Sequence, residues 1–535
     1  MVWASPTFLT AIAFAAAVLL LWRWTERRDP REPPYIRSRI PFIGHIVGMI
    51  RYGAKYFQLL NEKPRHPIFA LPMLNSRNYI VTDPTLAGHV QRNSKSLSFY
   101  LLIVEVTRRL IAFDKDAARI TFQDMHGETG PGGLMAEVHE MMNRHLAPGP
   151  GLDDMTRVQM EHTSHILNGL GECIETGLYA WLRHAFSWSN MQAVYGPNNI
   201  FVANSKLEDA FWQFEDGMLG LVIDVLPQFT ARKAFQARKR VLDGLAEYVR
   251  ERRYKRASPL IRERIETNLN YGMSERMAGH GELVLMFGIL GNAVPSLFWL
   301  IIMIFSKPDL LRQIRGQAER CVELVPSIGK ETQEGGADKK RHIKMSSKHI
   351  QKSCPLLYSC YRETLRYISL LTSPRMVTED TILGDKYLLR KGSVLQIAGG
   401  VIHFDERIWG TDVASFNPYR FLSRGDGPDE SCADKENQTT TALLLPKGVP
   451  SPAFRAFGGG NVICPGRHFA QSELMATAAV LALGFDIGSA DGGDLQVPKK
   501  DDMRIPLSVM KPEYDPQVHI TRREGWEDVS WHITV

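Results

Sequence analysis

One cysteine in this chain stands where it could do chemistry. Phe457-Gly458-Gly459-Gly460-Asn461-Val462-Ile463-Cys464-Pro465-Gly466 places three consecutive glycines ahead of Cys464 and Pro-Gly behind it, before the alanine-rich helical run opened by Arg467-His468-Phe469-Ala470. Backbone without Cβ atoms can fold tightly and lie flat against a large planar ligand. Pro465 suits the first position of a helix, where its missing N–H costs nothing. That would set the Cys464 sulfur beside unsatisfied helix N–H groups and the positive end of the dipole, both of which favour a thiolate. With no second cysteine or histidine at zinc-ligand spacing, such a thiolate is what a haem iron takes as its fifth ligand. The plain alternative is a glycine-rich turn around an ordinary buried cysteine. Phe457, Gly460, Cys464 and Gly466 together carry the more specific reading.

A second constellation lies about 100 residues upstream. Glu363 and Arg366 stand at i and i+3 and so project from one face of a helix. Alone, such a pair is usually a solvated helix face. Arg420, set between aromatics in Phe416-Asn417-Pro418-Tyr419-Arg420-Phe421, supplies a second cation. A buried Glu363–Arg366–Arg420 triad would lock the segment leading into the cysteine loop, a structural rather than a chemical role.

These residues need a scaffold, and helical spacing dominates the chain. Segments 205–256, 274–323 and 347–368 carry charges on one face, with strand-like runs at Tyr79–Val81 and Ser393–Ile397 between them. Residues 326–346 and 424–450 read as surface loops. Leu283–Phe305 is uncharged for 23 residues, long enough for a membrane span. Gly288, Gly291, Asn292, Pro295 and Ser296 cluster in its middle, which favours instead a buried helix that bends around a ligand. The fold expected is therefore mainly α with small β-sheets.

The chain has 535 residues, 44% hydrophobic and 23% charged, with net charge +6 and no basic run with interleaved aromatics. Nucleic-acid binding is excluded on that basis. Six cysteines in this length are no disulfide scaffold and point to a reducing compartment. Val2–Trp22 is uncharged and is followed by Arg23, Arg27, Arg28 and Arg31. By the positive-inside rule this is an uncleaved, single-pass signal anchor with the rest of the chain in the cytosol; a cleaved signal peptide is the competing reading. The expected organisation is an anchor at 1–24, a Pro-rich linker at 25–45 and a catalytic domain at 46–535. The sequon at Asn437 is then chance, since a cytosolic body never meets the transferase.

The cysteine loop, Glu363-x-x-Arg366, the Pro418-x-Arg420-Phe421 segment with His403-Phe404-Asp405 and Trp409-Gly410 ahead of it, and the Pro-rich lead-in together resemble the cytochrome P450 family along nearly the whole chain. Asn292-x-x-Pro295-x-x-x-Trp299 and Cys464-Pro465-Gly466-Arg467-His468-Phe469-Ala470 resemble its sterol 7- and 12-hydroxylase and prostacyclin synthase branch and many fungal enzymes of secondary metabolism. The resemblance implies haem (iron protoporphyrin IX) with Cys464 as axial iron ligand, Arg420 paired with Glu363 and Arg366, and Arg375 on a haem propionate. It implies a monooxygenase at the endoplasmic reticulum membrane that uses O2 and takes electrons from NADPH through cytochrome P450 reductase, or from cytochrome b5. The substrate would be a lipophilic terpenoid, sterol or polyketide.

Asn292 and Ala293 would lie over the iron, with Leu370, Leu371, Thr372 and Ser373 lining the pocket. Three positions depart from the family pattern. Val462 replaces the basic residue common two before the cysteine, Arg144 is a weak stand-in for a propionate-binding Trp-x-x-x-Arg, and Asn292-Ala293 replaces an acid followed by threonine. The last removes the usual proton relay. A peroxide-rearranging isomerase or dehydratase, which needs neither reductase nor relay, and a non-catalytic haem or lipid-binding protein are the alternatives.

Overall fold

Spacing that confines charge to one face becomes helix wherever the other face finds a core. The computed structural model describes residues 29–535 apart from 39, 41–42, 74–75, 125–131, 326–339 and 423–444. Its longer helices, in chain order, are α1 (Tyr100–Ile111), α2 (Leu134–Leu146), α3 (Pro150–Asn168), α4 (Leu178–Tyr195), α5 (Lys206–Asp216), α6 (Arg232–Arg250), α7 (Pro259–Asn270), α8 (Glu275–Phe305), α9 (Pro308–Glu319), α10 (Pro355–Ile368) and α11 (Arg467–Gly484). The stretch at 347–368 divides at Pro355, whose ring suits a helix start and not a helix interior.

A five-stranded sheet flanks the helices. It comprises β1 (Ile68–Met73), β2 (Ser76–Val81), β3 (Leu97–Ser98), β4 (Thr372–Val377) and β5 (Val394–Ala398) in the order β1-β2-β5-β4-β3. Only β2 and β5 run parallel, with Leu395 opposite Tyr79. The expected strands fall in β2 and β5. The Pro-rich lead-in lies along the edge of β1, where Ile36 N–H donates to the Ala70 carbonyl and Ala70 N–H to the Pro34 carbonyl. The edge is where proline is tolerated in a sheet. The anchor expected at 1–24 lies outside the described residues, as do Cys432 and the sequon at Asn437.

One expectation needs correction. Of the loop read at 326–346, Arg341–Ser346 is a strand between Val322–Val325 (antiparallel) and Val529–Thr534 (parallel). Ile343 and Met345 point into the core while His342 and Lys344, alternating with them, face the other way. The alternation is present in the sequence but its charges resemble the polar segment before it.

Helix α8 runs through the centre of the larger core, packed by α6, α4, α10 and α11. It is the one described helix long and apolar enough to cross a membrane, and most of its apolar stretch is buried within the protein. Close packing has local causes: a Cβ on Gly279 would sit 2.6 Å from the Leu245 carbonyl oxygen of α6. Pro295 removes a backbone donor inside the helix. Nearby side chains bond the turn above it: Ser296 Oγ donates to the Asn292 carbonyl at 2.7 Å and Asn292 Nδ2 to the Gly288 carbonyl at 3.3 Å.

Candidate active site

The cysteine loop is built as the glycines suggest. Gly458 and Gly460 have φ of 74° and 64°, a region that costs a side chain but not glycine. Side chains are excluded there for a second reason. A Cβ on Gly459 would fall 2.2 Å from Gln91 Nε2, and one on Gly460 would fall 2.8 Å from Gln91 Cβ. Cys464 N–H donates to the Phe457 carbonyl at 2.9 Å, which folds the loop back on itself.

Helix α11 begins at Arg467 rather than at Pro465, with Gly466 as its N-cap. The Cys464 side chain is accessible, yet it lies deep enough that burial pushes its thiol up, while the Gly466 and Arg467 N–H groups and the Arg467 charge pull it down. Those N–H groups are the ones the sequence placed beside the sulfur. Phe457 and Gly466 are half-buried and Gly460 is exposed along the same loop.

The triad forms. Arg366, fully buried, donates from Nε and Nη2 to the two Glu363 oxygens at 2.8 and 2.9 Å, and Arg420 Nε donates to Glu363 Oε2 at 3.0 Å. Arg366 also donates to the His403 and Val413 carbonyls, and Arg420 to the Trp409 carbonyl. Glu363 Oε1 accepts from Asn417 N–H as well. The triad therefore ties α10 to the whole 403–420 stretch.

His403 carries that order on to the cysteine loop. Its Nδ1 lies 3.1 Å from the Ser369 carbonyl, and its Nε2 accepts the Arg455 N–H at 2.7 Å. Burial, with the Arg366 and Arg455 charges, lowers its pKa to about 3, so the ring is neutral and Nδ1 bears the proton.

Arg455, two residues before Phe457, is the functional candidate that the sequence reading missed. It is buried, and neither Nη1 nor Nη2 has a hydrogen-bond partner. Arg375 on β4 is also buried; its Nη1 reaches Ser373 Oγ and the Pro374 carbonyl, and its guanidinium lies 5.0 Å from the Phe99 ring centre. Burial lowers both arginines to about 10, and the Arg375 charge adds to the effect on Arg455. Among the described residues no carboxylate pairs with either. Two buried cations without counter-ions are costly, and a planar cofactor carrying two carboxylates fits the arrangement. Arg144 is more than half exposed and pairs with Glu263 on α7, so it points away from such a role.

Across the core, α8 shows where a ligand can approach. From Met277 to Phe305 every residue is buried except Val284, Phe287, Gly288, Ile289 and Asn292. Val284, Gly288 and Asn292 recur every fourth residue and mark one accessible stripe. A Cβ on Gly288 would meet nothing within 4 Å.

Asn292 is partly engaged. Its Oδ1 accepts the Val509 N–H at 3.2 Å and one Nδ2–H goes to Gly288, leaving one donor. Ala293 is buried and carries no polar atom. Leu371, Thr372 and Ser373 are half-buried where β4 begins, and Leu370 is buried.

The Cytochrome P450 family model matches residues 200–514. The chain is 32% identical to the cytochrome P450 monooxygenase nodJ of Hypoxylon pulicicidum, covering 98% of this chain and 96% of that one. It is 29% identical to a cytochrome P450 monooxygenase of Gibberella zeae, again over 98% and 96%. The solved structure of retinoic acid-bound cyanobacterial CYP120A1 matches with a TM-score of 0.65 at 18% identity, over 92% of this chain and 99% of that chain.

Proposed function

The chain belongs to the cytochrome P450 family and is a monooxygenase of it, and from that premise we propose that it oxidises a lipophilic terpenoid, sterol or polyketide in secondary-metabolite biosynthesis, anchored to the endoplasmic reticulum membrane with its catalytic body in the cytosol. The observation that carries this reading is an accessible Cys464 in a deep glycine loop, together with buried Arg375 and Arg455 that have no carboxylate partner among the described residues. Exposed apolar side chains support the membrane contact. Val47 and Ile50 lie on the helix Gly44–Tyr52 and Ile43 caps its start, Val225, Leu226 and Phe229 lie before α6, and Met503 shares a cavity wall with Ile50. Such side chains suit a lipid surface.

Haem, when bound, supplies the electron-transfer and dioxygen chemistry, with electrons from NADPH through cytochrome P450 reductase or cytochrome b5. The residues of this chain do the rest. Cys464 would hold the iron, with the Gly466 and Arg467 N–H groups stabilising charge on its sulfur. Arg375 and Arg455 would take the propionates. Glu363, Arg366 and Arg420 hold the loop in place through His403. The free Nδ2–H of Asn292 orients a water, and Ala293 leaves that water or a substrate hydroxyl to deliver the protons.

Two expected results follow. Arg455→Met removes a buried unpaired cation, so the haem-free protein should become more stable to denaturant while the loaded protein loses haem faster; parallel loss in both forms would contradict the propionate role. Ala293→Thr should raise the fraction of NADPH oxidation that ends in product if proton delivery limits the reaction. Unchanged coupling would mean that water or substrate already supplies the protons.

Turnover under ¹⁸O₂ with reductase and NADPH tests the function. One labelled oxygen per product supports the monooxygenase. Product from a hydroperoxide without NADPH, carrying no label, would instead mark a peroxide-rearranging enzyme, the alternative raised by the loss of the usual relay at Asn292-Ala293.

A further inference from the structure

A cavity of about 920 Å³ opens between the end of α5, the start of α6 and the 501–511 segment. Its lining is largely apolar, with Met218, Leu219, Ile505, Leu507 and Met510 among its walls. Set into it is a buried ion pair. The Lys511 ammonium contacts Glu215, whose side chain is 3% exposed, and donates to Asp216 Oδ1 at 2.8 Å. Ser508 Oγ donates to Glu215 Oε1 at 3.3 Å. The next residue, Val509, is bonded to Asn292 on the accessible stripe of α8, and Trp299 Nε1 donates to the Met510 carbonyl at 2.7 Å. The polar group is thus mounted rigidly on a wall shared with the active site.

Apolar side chains of similar volume commonly hold such a position at no loss of stability, so fold stability does not account for the pair. Its hydrogen-bonding capacity is not filled. Lys511 has three N–H donors and two carboxylate partners, and each Glu215 oxygen has a second lone pair. A hydroxyl fits both vacancies at once, accepting from Lys511 and donating to Glu215. Glu215, Asp216 and Asp501 already engage Lys511 and Arg504 in ion pairs, so among the described residues neither of these two cations is left free for an anion. Arg232 and Lys233 stand exposed at the rim.

We propose that Glu215, Lys511 and Ser508 form the polar anchor for the substrate, and that the substrate is a neutral lipophile already bearing a hydroxyl remote from the carbon to be oxidised. The proposal rests on the monooxygenase reading. It places the enzyme after a reaction that installs or retains that oxygen.

The test is a set of matched ligands titrated by their shift of the Soret band, on holoenzyme that has first shown its thiolate spectrum. Hexadecane, 1-hexadecanol and hexadecanoic acid form one series, and 5α-androstane, its 3β-alcohol and its 3-carboxylic acid form the other. In at least one series the alcohol should bind about tenfold tighter than both hydrocarbon and acid, the size of one well-made hydrogen bond at a dry site. The double variant Glu215→Leu/Lys511→Met, which leaves no orphaned charge, should fold and bind alcohol and hydrocarbon equally. Alcohols no better than hydrocarbons in both series, acids binding tightest, or a preference that survives the double variant would each overturn the anchor. Because the thiolate spectrum is recorded first, such a failure leaves the haem-thiolate reading standing.

Discussion

Replacing Cys464 by alanine is expected to abolish the thiolate spectrum and reduce turnover below detection. The loop holds the sulfur by a backbone bond from Cys464 N–H to the Phe457 carbonyl, and two positive-φ glycines fix the approach. No neighbouring group is held in the same place: Arg467 turns its Nη1 back to the Cys464 carbonyl, and His468 lies within α11. Loss of an outer partner of a metal ligand costs about 10–100-fold in affinity or activity, and loss of the ligand itself should cost more. The absorbance of the reduced, carbon monoxide-bound variant checks this. A retained far-red Soret band would remove Cys464 from the site.

The second large effect is expected at Glu363. Glu363→Gln leaves Arg366, with no exposed side-chain surface, and Arg420, at 6%, without their shared carboxylate. Breaking a buried pair by removing one partner costs about 3–5 kcal/mol, against a total stability of about 5–15 kcal/mol for a typical protein. The variant should therefore yield little soluble protein, and what is recovered should hold less haem. The reason is transmission: Arg366 bonds the His403 carbonyl, and the His403 ring bonds the Arg455 N–H at the head of the cysteine loop. Denaturant unfolding and haem content per chain measure the two consequences. Wild-type stability with full haem content would show that the triad does not support the loop.

The cysteine loop and the triad are readable in the sequence because each depends on residue type at short spacing: glycines before a lone cysteine, and Glu and Arg one helical turn apart. The buried path of α8 is also readable, since Gly288, Asn292 and Pro295 interrupt its apolar run. What the sequence hides is pairing at a distance. Arg455 looks like any loop arginine until the structure buries it with no carboxylate partner among the described residues. Arg144 is a weak stand-in for a propionate ligand in the sequence, and Glu263, 119 residues away, pairs with it instead. The strand Arg341–Ser346 is hidden by its charges and is defined by Val529–Thr534 near the other end of the chain. The Asn292 side chain likewise has its main partner in Val509, 217 residues on.

The central claim is that Cys464 would present a thiolate to a haem iron, and that the haem so held would take up reductase-delivered electrons. The most direct measurement is the difference spectrum of the full-length protein with its reductase, under carbon monoxide, on addition of NADPH. A far-red-shifted Soret band is the predicted result. A protein that holds haem but gives no such band with NADPH or with dithionite would contradict the claim.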